Sequence, residues 1–177
     1  DASPTLGQPS IPVYKADAFV PFSFEVGQDG ANFLQELQKL LLDGYDQLTA
    51  TAYTTGSGSN QPTGVITSLV ASSGTVSLVA PAVAETFGTA DVYATQNALP
   101  PRFQPNASWN ANLSIINTMR QFETTNGALK FPELAGNPAM LLNRPIYENS
   151  NLDGSINAAA SENNYLLVYG DFAAGFR

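Results

Sequence analysis

Apolar and polar positions alternate from Val13 to Val26. Tyr14, Ala16, Ala18, Val20, Phe22, Phe24 and Val26 share one parity; Lys15, Asp17, Pro21, Ser23 and Glu25 share the other, with Val13 and Phe19 out of step. A period of two predicts a strand with one buried face, roughly 46 Å long at ~3.3 Å per residue. Pro21 has no amide hydrogen to give a ladder, so this strand belongs at an edge or bends there. A long open edge invites a partner chain.

The period then changes. Phe33, Leu37, Leu40, Leu41, Tyr45 and Leu48 recur at helical intervals, which predicts a helix from about Gly30 to Tyr53 with an apolar stripe. Asp29 is placed to cap its first amides, and Gly44 weakens it by about 1 kcal/mol. The Gly56–Gly64 stretch ends it. Val65 to Val70 and Thr75 to Val79 read as short β-like runs. Thr89 to Leu99 reads as a helix stopped by Pro100-Pro101. Trp109, Leu113, Ile116 and Met119 or Arg120 follow helical spacing, which predicts a helix from Trp109 to about Thr124, capped by Asn106 or Ser108. Asn126-Gly127 is a tight-turn pair, followed by a short strand over Ala128 to Phe131. Met140 to Tyr147 reads as strand broken at Asn143, and Tyr165 to Tyr169 as a buried strand. Helices and strands mix without a βαβ period or an internal repeat, so the class is α+β.

Composition narrows the chemistry. The 177 residues suit one domain of ordinary size, or one domain with an extended appendage. At 44% hydrophobic and only 12% charged, the surface is carried by Ser, Thr, Asn and Gln, which suits packing against other protein. Seven Lys and Arg against fifteen Asp and Glu give a net charge of -8, and the cations form no run. That argues against direct nucleic-acid binding, which needs basic side chains to displace counterions. The chain has no Cys and no His, which excludes disulfides, thiolate sites and His-dependent triads. No apolar window is long enough for a membrane helix, and no signal peptide is expected at the start. Both ends are expected to be cuts within something longer.

Four patterns invite a chemical reading and fail it. Gly56–Gly64 lacks the Lys and the following-helix context of a phosphate loop. Asn149-Ser150-Asn151-Leu152-Asp153-Gly154 imitates half a calcium loop, but Asn149 stands where a carboxylate is wanted and Ala160 where a bidentate Glu is needed. Asp43 and Asp46 share a helix face as solvated acids. Asn106-Ala107-Ser108 and Asn112-Leu113-Ser114 match a glycosylation pattern that is easily met by chance. No cofactor or metal site is expected.

From Val13 onward the order of these elements resembles the Hong Kong 97-type major capsid proteins of tailed phages and prophages. Tyr14 to Val26 resembles the returning strand of that family's extended loop, and Asp29 to Tyr53 its spine helix. Gly58-Ser59-Asn60-Gln61-Pro62-Thr63-Gly64-Val65 is similar to the family's Gly-rich connection. Asn106-Ala107-Ser108-Trp109 resembles the opening of an axial-domain helix. Leu141-Leu142-Asn143-Arg144-Pro145-Ile146-Tyr147-Glu148 is similar to a strand motif that carries Gly where Asn143 stands. Tyr165 to Phe172 is similar to a strand ending in Gly170-Asp171-Phe172. The family's N-terminal arm, the outgoing half of its loop and its closing strands have no counterpart here, and Lys15 is not assigned a cross-linking role.

The resemblance implies residues 1–60 as extended-loop strand and incomplete peripheral domain, and residues 61–177 as axial domain. It implies a non-enzymatic subunit of an icosahedral virion, built in the bacterial host cytoplasm from hexamers and pentamers of one chain. No membrane or sequence-specific nucleic-acid partner is expected. The candidate assembly or fold-defining residues are Phe19 and Pro21 in the strand, and Gln61, Pro62, Thr63 and Gly64 in the connection. Trp109, Asn143, Arg144, Pro145, Gly170, Asp171 and Phe172 complete the set. The residues alone leave open a secreted adhesin or carbohydrate-binding module, and more remotely a carboxylate-based hydrolase.

Overall fold

Leucine density and the absence of proline from 33 to 55 produce the longest element, helix α1, Phe33–Thr55. It belongs to a computed structural model that describes residues 12–25, 32–72, 78–159 and 163–175. The chain divides into two units, Asp1–Ser68 and Leu69–Arg177.

In the first unit, α1 starts at Asn32, whose side chain makes no capping bond; the expected cap, Asp29, lies outside the described residues. Threonines in its second half do not break it, because Thr49, Thr51 and Thr54 turn their hydroxyls back to the carbonyls of Tyr45, Gln47 and Ala50. The Gly56 amide closes the last turn on Ala52 O at 3.0 Å. The chain then makes a small closed loop. Gly64 N donates to Gly56 O at 2.8 Å, Ser57 bridges to Thr63, and Gln61 Nε2 donates to Ser57 Oγ at 3.0 Å. Gly64 is required: a β-carbon there would overlap the backbone of Gly56 and Thr54.

Two expectations for this region are corrected. Residues 12–23 hold no strand, and Phe24 and Glu25 enter a helical turn; Val26 lies outside the described residues. Alternation defines a face but supplies no ladder partner, and no second strand pairs with this segment among the described residues. Val65–Ala71 is helix α2, not a β-run. Its β-branched residues lower helix propensity by only tenths of a kcal/mol, and Ser68 N bonds back to Gly64 O at 2.9 Å. Of the second β-like run, 75–77 lie outside the described residues, and Leu78 and Val79 carry no strand.

The second unit is built on a four-stranded sheet in the order β2-β3-β1-β4. Strand β1 is Ser108–Ala111, β2 Met140–Leu141, β3 Arg144–Glu148 and β4 Leu167–Gly170. β1 runs parallel to β3, with Trp109 opposite Ile146, and antiparallel to β4, with Trp109 opposite Tyr169. β2 and β3 form a hairpin turned by Leu142 and Asn143, both with positive φ, 50° and 60°. That is the primed turn geometry whose twist matches flanking strands, so the expected break at Asn143 is present. Helices α3, Thr89–Ala98, α4, Leu113–Arg120, and α5, Phe172–Gly175, complete the unit.

Trp109 is on a strand, which corrects the expected helix from Trp109 to Thr124. The helix begins only at Leu113, where Asn112 Oδ1 accepts from Ser114 N at 3.1 Å. Trp109 is held in β1 by contacts distant in sequence. Its Nε1 donates to Leu141 O at 3.0 Å, and its ring stacks on Tyr169 at 4.0 Å. It centres a core with Met119, Phe131, Leu134, Leu141 and Val92. The expected strand over 128–131 reduces to an isolated bridge, Glu123 to Leu129. The expected Tyr165–Tyr169 strand starts at Leu167 and is half-buried rather than buried, because it is an edge of the sheet.

Candidate assembly surfaces

Over the 23 residues of α1 only Ala52 and Thr54 are buried. Leu34, Leu41 and Leu48 stand seven residues apart, and Tyr45 falls between the last two on the same face; all four are exposed. Leu37, on that stripe, is half-buried. A helix's apolar stripe ordinarily faces a core; here it faces outward. Leu40, Leu42 and Tyr53 are exposed as well. The polar positions pair locally: Lys39 Nζ lies 2.8 Å from Glu36 Oε1, and Gln47 Nε2 donates to Asp43 Oδ2. Asp43 and Asp46 are thus solvated.

The segment before α1 is apolar and exposed as well. Phe19 is 89% exposed, Phe24 77% and Val13 93%. Among the described residues, Phe22 alone of this segment finds an aromatic partner, Phe33, edge-on at 5.1 Å. Pro21 is exposed. Together these residues give the first unit a large apolar surface, of the kind that monomers in water rarely keep uncovered.

The remaining candidates fall into separate groups. Gln61 and Pro62 are half-buried, Thr63 exposed and Gly64 buried, all within the loop that follows α1. Trp109 is fully buried. Asn143 is exposed at the hairpin tip, and Glu133 Oε1 steadies that turn by accepting from Leu142 N at 3.2 Å. Arg144 Nη1 donates to Pro105 O at 2.6 Å, and Pro145 stands opposite Met140. Gly170 pairs with Ser108. Asp171 Oδ1 accepts from Ala174 N at 3.1 Å, capping the turn that begins at Phe172.

Three side chains for which no structural role was expected organise the second unit. The buried Asp91 carboxylate accepts from Ala82 N and Gly88 N, each at 2.7 Å. An acid three residues into a helix was the available signal. Asn112 caps α4 and also donates through Nδ2 to Leu152 O at 3.0 Å. Asp153, in the segment that imitates a calcium loop, accepts from Tyr165 N at 2.6 Å. Among the described residues, no group of three acids, His or Cys could hold a metal. No described helix is long and apolar enough to cross a membrane.

The profile of the Phage capsid family matches residues 1–177. Among solved structures, the capsid of a native GTA particle, computed with C5 symmetry, superposes with a TM-score of 0.71 at 26% identity, covering 85% of this chain and 53% of that one. The capsid of the empty GTA particle gives 0.70 at 24% identity, covering 85% and 52%. The chain therefore spans about half the length of the solved capsid chains it matches. No curated protein matches it.

Proposed function

Because the chain belongs to the phage capsid family, we propose that it is a structural subunit of an icosahedral phage capsid, joining copies of itself into hexamers and pentamers. The observation that carries this reading is the exposed apolar stripe of α1, together with the exposed Phe19 and Phe24 of the same unit. Such a surface is stable in water only when another surface covers it, and shell formation covers it.

Residues 1–60 are assigned to the extended loop and peripheral domain, and 61–177 to the axial domain. The closed loop from Gly56 to Gly64 fits a connection between them. The subunit performs no catalysis. Among the described residues its acids are exposed or, like Asp91 and Asp153, occupied by backbone amides. It resides in the virion and assembles in the host cytoplasm. Its net charge of -8 suits a wall that encloses nucleic acid without gripping it.

Electron microscopy with analytical ultracentrifugation of the full-length product, expressed alone, tests the reading. Rings or closed shells are expected. A monomer that persists at high concentration, or tight binding of a defined glycan by that monomer, overturns it.

A further inference from the structure

We propose that Asn126 is a site of spontaneous deamidation, and that the hairpin around it sets the pace. Asn126-Gly127 is the one Asn-Gly pair in the sequence. Both residues are exposed. Gly127 has φ +77°, and no atom lies within 4 Å of where its β-carbon would be. Gly127 therefore puts no side chain over the reacting nitrogen, and no other atom stands where that side chain would be.

The chemistry needs only water. The Gly127 backbone nitrogen attacks Asn126 Cγ. A nitrogen–carbon bond forms, the bond from Cγ to Nδ2 breaks, and ammonia leaves with the proton lost by Gly127 N. The resulting five-membered imide takes up one water. It opens at either carbonyl, to aspartate or to isoaspartate. The sum is an amide and water in, a carboxylic acid and ammonia out.

The fold restrains this reaction through hydrogen bonds at the same turn. Gly127 N donates to Thr124 O at 2.9 Å, Thr124 N to Ala128 O at 2.7 Å, and Ala128 N to Thr124 Oγ1 at 3.1 Å. With its hydrogen so engaged, the nucleophile must leave the turn before it can attack. An exposed turn opens at a small fraction of the global unfolding free energy, so the reaction is slowed but not stopped.

The consequence reaches past the tip. The new carboxylate adds to a chain already at -8. Isoaspartate also lengthens the backbone by one carbon, which the bond from Lys130 N to Phe122 O, 2.9 Å, cannot absorb unchanged. Phe122 packs against Phe131, a core residue.

The test is incubation of the purified chain at mildly alkaline pH, native and in urea, with peptide mapping by mass spectrometry and isoaspartate detection. Asn126 is expected to convert ahead of every other asparagine, and on the order of tenfold more slowly in the native chain than in urea, the factor that ~1.4 kcal/mol of turn opening gives. Thr124→Val, which removes the Oγ1 acceptor at similar volume, is expected to speed the native reaction several-fold and leave the reaction in urea unchanged. Gly127→Ala, assayed in urea so that folding does not enter, is expected to slow it. An intact Asn126 in the native chain, equal rates in both states, or a Thr124→Val variant that converts no faster than the parent would each overturn the proposal.

Discussion

Two glycines of the first unit show that the same residue type carries opposite consequences by position. Gly44 lies inside α1 with nothing within 4 Å of a prospective β-carbon. Gly44→Ala is therefore expected to stabilise the helix by about 0.5–1 kcal/mol, through backbone entropy alone. At Gly64 the same substitution drives a methyl into the backbone of Gly56. It is expected to open the bond from Gly64 N to Gly56 O and to destabilise the loop by more than Gly44→Ala stabilises the helix. Helical circular dichroism during urea unfolding reads both. In the second unit, Asp91→Asn replaces one carboxylate oxygen with a donor facing an amide, at a cost of about 1–3 kcal/mol. The fluorescence of Trp109, the chain's single tryptophan, follows that unfolding; an unchanged midpoint would mean that Ala82 and Gly88 find other acceptors.

At the scale of elements, the legible parts were those decided by neighbours in sequence. The leucine spacing of α1, the turn at Asn126-Gly127 and the break at Asn143 all follow from residues within a few positions. The misread parts were decided at a distance. Trp109, Leu113, Ile116 and Met119 keep helical spacing straight across Asn112, so periodicity extended α4 backward over β1. Only the pairing of Trp109 with Ile146 and Tyr169 makes 108–111 a strand, and Asn112 was the missed cap. Conversely, the alternation from Tyr14 to Phe24 met no ladder partner among the described residues. The β2–β3 turn makes a prediction here. Asn143 has φ 60°, a backbone that Gly adopts freely and Asn tolerates. Asn143→Gly is expected to change stability by no more than a few tenths of a kcal/mol, while Asn143→Val costs about 1–2 kcal/mol. Thermal melts of the two variants decide it; equal losses would show that the side chain, rather than the backbone, holds the turn.

At the scale of the whole molecule, folding and association draw on different residues. The second unit's core is made by Trp109, Met119, Phe131, Leu134 and Leu141, none of which is available to a partner. The apolar surface of the first unit is made by residues whose exposure means that they contribute little to the chain's own stability. Substitutions confined to that surface should therefore separate the two properties. Leu41→Lys with Leu48→Lys places two charges on the α1 stripe, and Phe19→Ser with Phe24→Ser removes the two exposed rings. Each pair is expected to leave the unfolding midpoint within about 0.5 kcal/mol per site, as exposed positions usually do. Each is expected to abolish rings and shells in sedimentation: the lysines because charge on a face that must be buried carries a desolvation cost, the serines because the apolar area that association would bury is removed. A variant that folds and still assembles would show that the contacts between copies lie on other surfaces. A variant that fails to fold would show that α1 packs against its own chain more than its exposure implies.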